Sequence, residues 1–371
     1  MGPLSIFILE WTLQVSGLLF FSSDFYPIVW QTWVILCVAV VAYVIGWLIA
    51  YAVPVVVSYD FFSLEKNLHR AKHAKTLFVF SSIAFAVVSL PTLMDIISAS
   101  GSIELMRQMV IQRILERDPS YILAFYFSIF VCLTSLYAIA YGDCYSKKFK
   151  LALGLVVTVA LVVSFGRTLL LMFFVGLIFI LAGRGAIKKH HVVILSLFFL
   201  FLFFLIARVM NKGGDAPLAE MLAWNYKVYF LNGLACFNYF IANDFPRFEG
   251  VILAPNSIKR FFGEPEVPVI FPFVETPLPG NVYTALYPMV HDFGVVGVFV
   301  GFFLIGWVTN YFYRKRRLSR DFLYFSSLIM YPLVMIVFND QYLLSYPLWI
   351  MVIFILLGAY ILRCVDNCRR F

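Results

Sequence analysis

The chain has 371 residues, of which 63% are hydrophobic and 13% are charged, and its formal net charge is +8. Soluble globular domains carry roughly 25% charged residues, so this composition excludes a soluble fold and predicts a polytopic membrane protein. Long continuous apolar runs favour helices over the short alternating strands of an outer-membrane barrel. The positive charges cluster in short connectors, a pattern that indicates membrane topology and argues against nucleic acid as a partner.

Ten apolar runs are predicted to be transmembrane helices, because about 20 residues in a helix cross the hydrocarbon core. They cover residues 3–21, 28–53, 76–97, 120–141, 150–165, 168–183, 192–209, 284–312, 322–338 and 346–363. The chain is thereby divided into residues 1–209 with seven spans, one large loop at 210–283, and residues 284–371 with three spans and a short tail. The N-terminus lacks the basic region of a cleaved signal peptide, so we expect Met1 onward to be retained as the first span.

Lysine and arginine residues set the orientation of these spans. Five groups follow the second, fourth, sixth, eighth and tenth spans, at Lys66–Lys75, Lys147–Lys150, Arg184–Lys189, Arg314–Arg320 and Arg363–Arg370. The positive-inside rule places these connectors and both termini in the cytoplasm. The large loop 210–283 is then on the opposite, periplasmic side of a bacterial inner membrane.

Two further apolar segments are interpreted as helices lying on the membrane surface. Residues 217–241 are apolar enough to cross, but a crossing there would move Arg314–Arg320 outside, against the charge rule. Segment 98–119 has a capping residue at Ser102 and ends at Asp118-Pro119, which predicts a short amphipathic helix.

The sequence motifs favour a reaction without cofactor or metal. Only Cys236 is external in this topology, so no intramolecular disulfide is expected on the oxidising side. Cys364 and Cys368 are too few for a zinc site, and the sequence has no HExxH motif, CxxC pair or Walker loop. We therefore expect neither a metal site nor nucleotide-driven chemistry.

Three arginines on the external side are candidate anion-binding residues. Arg167 lies in the tight turn Ser164–Thr168, where it either snorkels to the headgroups or serves a function, since this turn needs no positive charge for topology. Arg247 and Arg260 begin two similar tetrapeptides, Arg-Phe-Glu-Gly and Arg-Phe-Phe-Gly. Guanidinium groups bind phosphate oxygens bidentately, so these residues suit a diphosphate headgroup.

His291 and Asp292 stand side by side where the loop enters the eighth span. Ionisable groups at the membrane edge are costly and therefore often functional. Two interpretations remain open: an acid–base pair that titrates near neutrality, or an aspartate that caps the helix beside a solvent-facing histidine.

These motifs resemble those of bacterial O-antigen polymerases of the Wzy type. The similarity is carried by Pro279-Gly280-Asn281-Val282-Tyr283-Thr284 and by Asp292-Phe293-Gly294 with the glycine-spaced span that follows. The Ser164–Leu171 segment around Arg167 is similar to the arginine-bearing turn of these polymerases and of the related O-antigen ligases.

The resemblance implies an all-α, GT-C-like helical bundle with one large periplasmic loop and a metal-independent glycosyltransferase activity. Its substrate would be an undecaprenyl-diphosphate-linked oligosaccharide, with membrane lipids and a chain-length regulator as further partners. In that reaction Arg167, Arg247 and Arg260 would neutralise the donor diphosphate, Asn281 and Tyr283 would orient sugars, and His291 or Asp292 would take the acceptor proton.

Three alternatives stay open. An O-antigen ligase differs in its acceptor, which is the lipid A core. A lipid-linked oligosaccharide flippase would show ionisable residues inside many spans and repeat symmetry, neither of which is evident. A structural membrane subunit would not need the arginine set.

Overall fold

The computed structural model describes residues 2–54, 64–101, 103–116, 118–164, 167–209, 217–268 and 271–368. Most of these residues are helical. The helices are α1 (Pro3–Phe20), α2 (Trp30–Ala52), α3 (Leu64–Ser100), α4 (Ile103–Leu115), α5 (Pro119–Ala140), α6 (Lys147–Val163), α7 (Arg167–Gly183), α8 (Lys189–Val209), α9 (Leu218–Tyr226), α10 (Asn232–Asn243), α11 (Asn256–Phe262), α12 (Leu286–Lys315), α13 (Arg320–Met335) and α14 (Tyr346–Cys368). Two short strands, β1 (Val274–Glu275) and β2 (Pro279–Gly280), pair antiparallel.

The chain separates into two compact units. Unit 1 contains Met1–Val55, Asn211–Arg314 and Ile329–Tyr346. Unit 2 contains Val56–Met210, Lys315–Leu328 and Pro347–Phe371. Unit 1 therefore includes the large loop, the His291–Asp292 pair and Asn281, whereas Arg167 belongs to unit 2.

Six helices in the described ranges are long and apolar enough to cross a membrane. They are α1, α2, α5 and α12, together with Asn67–Ser100 of α3 and Tyr346–Asp366 of α14. The prediction of an all-α integral membrane protein is thereby confirmed. The other four predicted spans fall on α6, α7, α8 and α13, so each predicted span has a helix, but the count of ten crossings stays a prediction.

Helix boundaries follow the capping residues in the sequence. The side chain of Asp118 accepts a hydrogen bond from the Ser120 amide at 2.9 Å, and Pro119 occupies the first turn of α5. The predicted helix in segment 98–119 is present as α4. The larger difference is in α3, which begins at Leu64 and thus extends well before the predicted start of its span at residue 76.

Helices α2 and α12 approach each other through glycine. A Cβ atom on Gly46 would lie 2.2 Å from the carbonyl oxygen of Phe303, and one on Gly306 would lie 2.4 Å from that of Tyr43. Small residues at such crossings allow two membrane helices to pack backbone to backbone. The ring of Phe7 on α1 stacks on Tyr43 at a centroid distance of 3.8 Å, so α1 joins the same core.

The segment from α9 to α10 covers the helix predicted for residues 217–241, and its place on the membrane surface stays a prediction. It is nearly continuous, with a π-helical turn at Lys227–Leu231, and most of α10 is buried within unit 1. Gln14 of α1 donates to the carbonyl oxygens of Phe230 at 3.0 Å and Val337 at 2.8 Å. Hydropathy reports apolar character but does not distinguish burial in protein from burial in lipid headgroups.

Helix α12 is interrupted near its start. Gly294 has a φ of 62°, in the left-handed region that a residue with a Cβ rarely adopts. After this break, Gly297 and Gly301 leave room for Met289, whose atoms would be within 2.5 Å of a Cβ at either position. The glycines of this span therefore allow the first turn of α12, which contains Met289, to pack against the helix after the break.

Unit 2 has a polar cluster where α5, α13 and α14 meet. The carboxylate of Asp321 accepts hydrogen bonds from the Tyr137 hydroxyl at 2.7 Å, the Tyr141 hydroxyl at 2.9 Å and the Arg363 guanidinium at 2.9 Å. Each charged partner is thus neutralised locally, and we regard this cluster as structural.

Candidate active site

Helix α10 supports the candidate site through two buried asparagines. Asn238 accepts hydrogen bonds from the Val29 amide at 2.9 Å and the Thr32 hydroxyl at 3.0 Å, and donates to the Pro27 carbonyl at 3.0 Å. These bonds fix the connector between α1 and α2. Asn232, at the start of the same helix, forms hydrogen bonds with the β1–β2 hairpin.

The hairpin places the Gly280–Thr284 motif against α10. The Thr276 hydroxyl donates to Asn232 at 2.6 Å, and Asn232 donates to the Pro279 carbonyl at 3.3 Å. A Cβ on Gly280 would lie 2.2 Å from the Asn232 amide nitrogen and 2.6 Å from the Cys236 sulfur, so the hairpin can dock this closely only with glycine. Asn281 follows directly and is half-buried.

Aromatic rings fill the space between the motif and the large loop. Tyr283 stacks on Tyr287 at 4.5 Å, and Phe271 and Phe240 pack edge-on against Tyr287 at 5.5 and 4.8 Å. The Tyr287 hydroxyl donates to the Pro246 carbonyl at 2.8 Å. Burial raises the pKa of Tyr283, which therefore stays protonated and can act as a hydrogen-bond donor.

His291 and Asp292 are both committed to the backbone of the large loop. Their side chains are 4% and 0% exposed. Nε2 of His291 accepts from the Phe248 amide at 2.9 Å, and Nδ1 lies 2.7 Å from the Asp292 carboxylate. The two Asp292 oxygens also accept from the amides of Ile252 and Leu253, both at 2.8 Å. Because Nε2 is an acceptor, the ring proton is on Nδ1 and points at Asp292.

The two loop arginines are exposed and carry local carboxylate partners. Arg247 is 59% exposed and lies 2.9 Å from the Asp244 carboxylate. Arg260 is 63% exposed and contacts Glu266 at 2.8 Å. Exposed ion pairs of this kind contribute little to stability, so both guanidinium groups can exchange their carboxylate for a phosphate ligand at low cost.

Lys259 is a buried cation that the sequence did not single out. Its ammonium lies 3.4 Å from the Asn256 amide oxygen, and Asn256 in turn holds Val267 through both backbone groups. Burial lowers the pKa of Lys259, while the carboxylates of Asp292 and Glu266 oppose that shift. The adjacent Lys-Arg pair at 259–260 was the available signal, but only the fold shows which of the two points inward.

Arg167 lies in the other unit. Its backbone begins α7, as the predicted turn before that helix requires. Its side chain and the preceding Phe165 and Gly166 lie outside the described residues. The proposed anion-binding role of Arg167 thus stays a prediction.

Asp340 is a second residue whose importance was not apparent from the sequence, where it stands near a span end. It lies in the connector that joins α13 to α14, and its side chain is fully buried. One carboxylate oxygen accepts from the amides of Tyr342 at 2.8 Å and Leu343 at 3.1 Å, and the other has no hydrogen-bond partner among the described residues. Burial raises the pKa of Asp340 to about 6.

These features describe an integral membrane protein whose large loop is bonded to the start of a broken helix through a histidine–aspartate pair. Among known proteins, the chain is 26% identical over 199 residues to a protein named O-antigen polymerase from Shigella dysenteriae. The match covers 50% of this chain and 50% of that protein, so the chain spans about half the length of the curated relative it matches. No protein-family model matches the chain. No solved structure matches it.

Proposed function

We propose that this protein is an O-antigen polymerase of the bacterial inner membrane. The observation that carries the proposal is the likeness, over half the chain, to the O-antigen polymerase of Shigella dysenteriae. The six membrane-length helices and the anchored Gly280–Thr284 motif support it, since the motif lies at the end of the large loop. The site would face the periplasm, with both termini in the cytoplasm.

The proposed reaction transfers a growing glycan from its undecaprenyl diphosphate carrier to a new lipid-linked repeat unit. The bond between the anomeric carbon of the donor and the diphosphate oxygen breaks. A bond forms between that carbon and a hydroxyl oxygen at the non-reducing end of the acceptor unit. The leaving diphosphate keeps the bonding electron pair, and it can accept the proton that the hydroxyl loses, so atoms and charges balance without a metal or nucleotide.

Cationic side chains would stabilise the charge that builds on the departing diphosphate. Arg247 and Arg260 are exposed; the Asp244 partner of Arg247 is also largely solvated, and the Glu266 partner of Arg260 is about one-third exposed. Lys259 adds a third cation next to Arg260 on α11. Arg167 is proposed for the same role on the basis of its motif alone. Positive groups placed where charge develops supply much of the rate enhancement in such transfers.

We propose that His291 and Asp292 position the loop instead of acting as the base. His291 uses Nε2 to hold the Phe248 amide, so the ring has no free acceptor nitrogen unless that bond breaks. Asp292 holds two further amides of the same loop. Together they fix the loop residues that follow Arg247. Asn281, half-buried after the hairpin, would orient the sugars through hydrogen bonds. Tyr283 is buried and its hydroxyl donates to the Pro272 carbonyl at 3.4 Å, so it would reach a sugar only after that bond breaks.

Gene deletion followed by lipopolysaccharide gel analysis tests the activity. We expect lipid A core with a single repeat unit to accumulate in place of the long ladder. A ligase would instead lose all repeats from lipid A while lipid-linked polymer persists. A flippase would leave repeat units on the cytoplasmic side. Either of these two results would refute the polymerase assignment.

Complementation of the deletion with arginine variants tests the anion-binding role. Arg167→Ala and the double variant Arg247→Ala/Arg260→Ala should each reduce polymer by at least about tenfold, with single repeats accumulating. Lys148→Ala, which removes an exposed cation near the start of α6, is the matched control and should leave the ladder unchanged. Full ladders in the arginine variants at equal protein levels would remove these residues from the mechanism.

A reporter fused after Phe245 tests the orientation. We expect the reporter to be in the periplasm, because the proposed site lies in the same loop. A cytoplasmic reporter would place the loop on the side where no flipped lipid-linked substrate exists, and the proposal would fail.

A further inference from the structure

Unit 2 brings together two histidines and an aspartate that the sequence separates by almost 300 residues. His69 and His73 are one turn apart on α3, so their side chains lie on one face of that helix. Asp366 comes from the last turns of α14. None of the three residues belongs to the candidate active site described above.

The geometry of this cluster is compact. Nε2 of His73 lies 2.9 Å from the Asp366 Oδ2 atom, and Nε2 of His69 lies 3.6 Å from the same oxygen. One ligand atom from each of the three residues lies within 4.8 Å of the other two. In a tetrahedral zinc site with bonds of about 2.0–2.1 Å, ligand atoms are about 3.3 Å apart. The two distances to Asp366 bracket that value, and the two histidine ligand atoms lie within 4.8 Å of each other.

Burial of the His73 ring is not explained by its hydrogen bond alone. The side chain is 4% exposed, and its Nδ1 atom has no hydrogen-bond partner among the described residues. A single bond to Asp366 therefore leaves a buried polar atom unsatisfied, which is unfavourable. A metal ion at Nε2 would replace the single hydrogen bond to Asp366 by a coordinate bond, and Nδ1 would carry the ring proton.

We propose that His69, His73 and Asp366 bind one divalent transition-metal ion of the Zn²⁺ class. Two imidazoles and a carboxylate are ligands that zinc and its neighbours prefer. Three protein ligands leave at least one coordination position for water. The Lys72 ammonium also acts on Asp366, which lowers the affinity expected for a dication. The ion would join the start of α3 to the end of α14.

Metal binding to the purified full-length protein in detergent tests this proposal. The protein should carry an affinity tag without histidines, because a polyhistidine tag binds the same ions. Co²⁺ serves as the spectroscopic probe, since tetrahedral Co²⁺ gives visible absorption bands, and Zn²⁺ is measured by equilibrium dialysis. We expect one equivalent of either ion per chain.

Two mild variants and two controls make the result specific. His69→Gln and Asp366→Asn change partly exposed ligands and should weaken binding by at least about tenfold. The His190→Gln/His191→Gln variant, and the Cys364→Ser/Cys368→Ser variant, should bind one equivalent like the parent protein. Size-exclusion profiles and circular dichroism check that every variant is folded.

The measurement also separates the proposal from its rival, a metal-free ion pair. Less than about 0.1 equivalent of Co²⁺ bound to the parent protein would overturn the proposal. Loss of binding in the cysteine variant with retention in His69→Gln would equally overturn it. The readout is independent of glycan transfer, so failure here leaves the proposed function untouched, and failure of the polymerase assignment leaves this site untouched.

Discussion

Replacement of Asp340 by Asn should change the pH dependence of stability. The side chain is fully buried, and burial raises its pKa from 3.8 to about 6. The difference of about 2 pKa units corresponds to about 3 kcal/mol at 1.36 kcal/mol per unit. Between these two pKa values the folded protein binds more protons than the unfolded chain, so stability falls as the pH rises through this window.

The Asn variant keeps an oxygen that can accept both backbone hydrogen bonds and removes the negative charge. Its amide oxygen can still accept from the amides of Tyr342 and Leu343, whereas its amide nitrogen adds a cost that does not depend on pH. The informative quantity is therefore the change, between two pH values, in the stability difference between the variant and the parent. As the pH rises from 4 to 8, the free energy of unfolding of Asp340→Asn should increase by about 3 kcal/mol relative to that of the parent. For a chain of this size the corresponding relative shift in Tm is on the order of 4 °C.

Thermal unfolding in detergent at a series of pH values measures this effect. Glu275→Gln is the control, because it neutralises an exposed carboxylate in the same unit. Parallel Tm curves for the parent and Asp340→Asn across this pH range would refute the reasoning. They would mean that the unpaired oxygen of Asp340 has a polar partner in solution and that its carboxylate is ionised without strain.

Three further predictions follow from packing and hydrogen bonds. Gly306→Leu should cost about 1–3 kcal/mol because it separates α12 from α2, whereas Gly154→Leu, which meets nothing within 4 Å, should be neutral in the same thermal assay. Asn238→Leu should cost about 3 kcal/mol by leaving buried backbone groups unpaired, and the exposed Asn243→Leu change should cost little; equal Tm losses would refute this. His291→Gln can still accept the Phe248 amide and should keep polymer formation, while His291→Ala should lose it; an inactive, folded Gln variant would support a base role instead.

The sequence was sufficient to predict the helices but not their environment. Spans such as 3–21 and 28–53 match α1 and α2 to within two residues, because hydrophobic length alone determines a membrane helix. The same criterion failed to indicate where α10 lies. Its asparagines look polar in a hydropathy profile, yet Asn232 and Asn238 are buried and hydrogen-bonded to distant backbone.

The candidate site was predictable as a set of residues, not as a geometry. Asn281, Tyr283 and the His291–Asp292 pair were recognisable from a local motif. The partners of that pair are backbone amides about 40 residues away, in a loop without a sequence signature. Long-range contacts of this kind arise from the folded loop, and a single sequence contains no direct record of them. The buried Lys259 was missed for the same reason.

Hydrogen bonds at both ends hold residues 249–270 of the large loop in place, so this stretch can be exchanged as a unit. Asn232 secures the β1–β2 hairpin near the end of the loop, and Tyr287 and His291 secure residues 246–248 in its middle. Both ends of the intervening stretch are thus held by residues outside it. Under the proposed function, a graft of residues 249–270 from a relative with another repeat unit would change the surface offered to sugars while retaining these anchors. Sequence diversity can therefore accumulate in this stretch without a compensating change in the membrane helices.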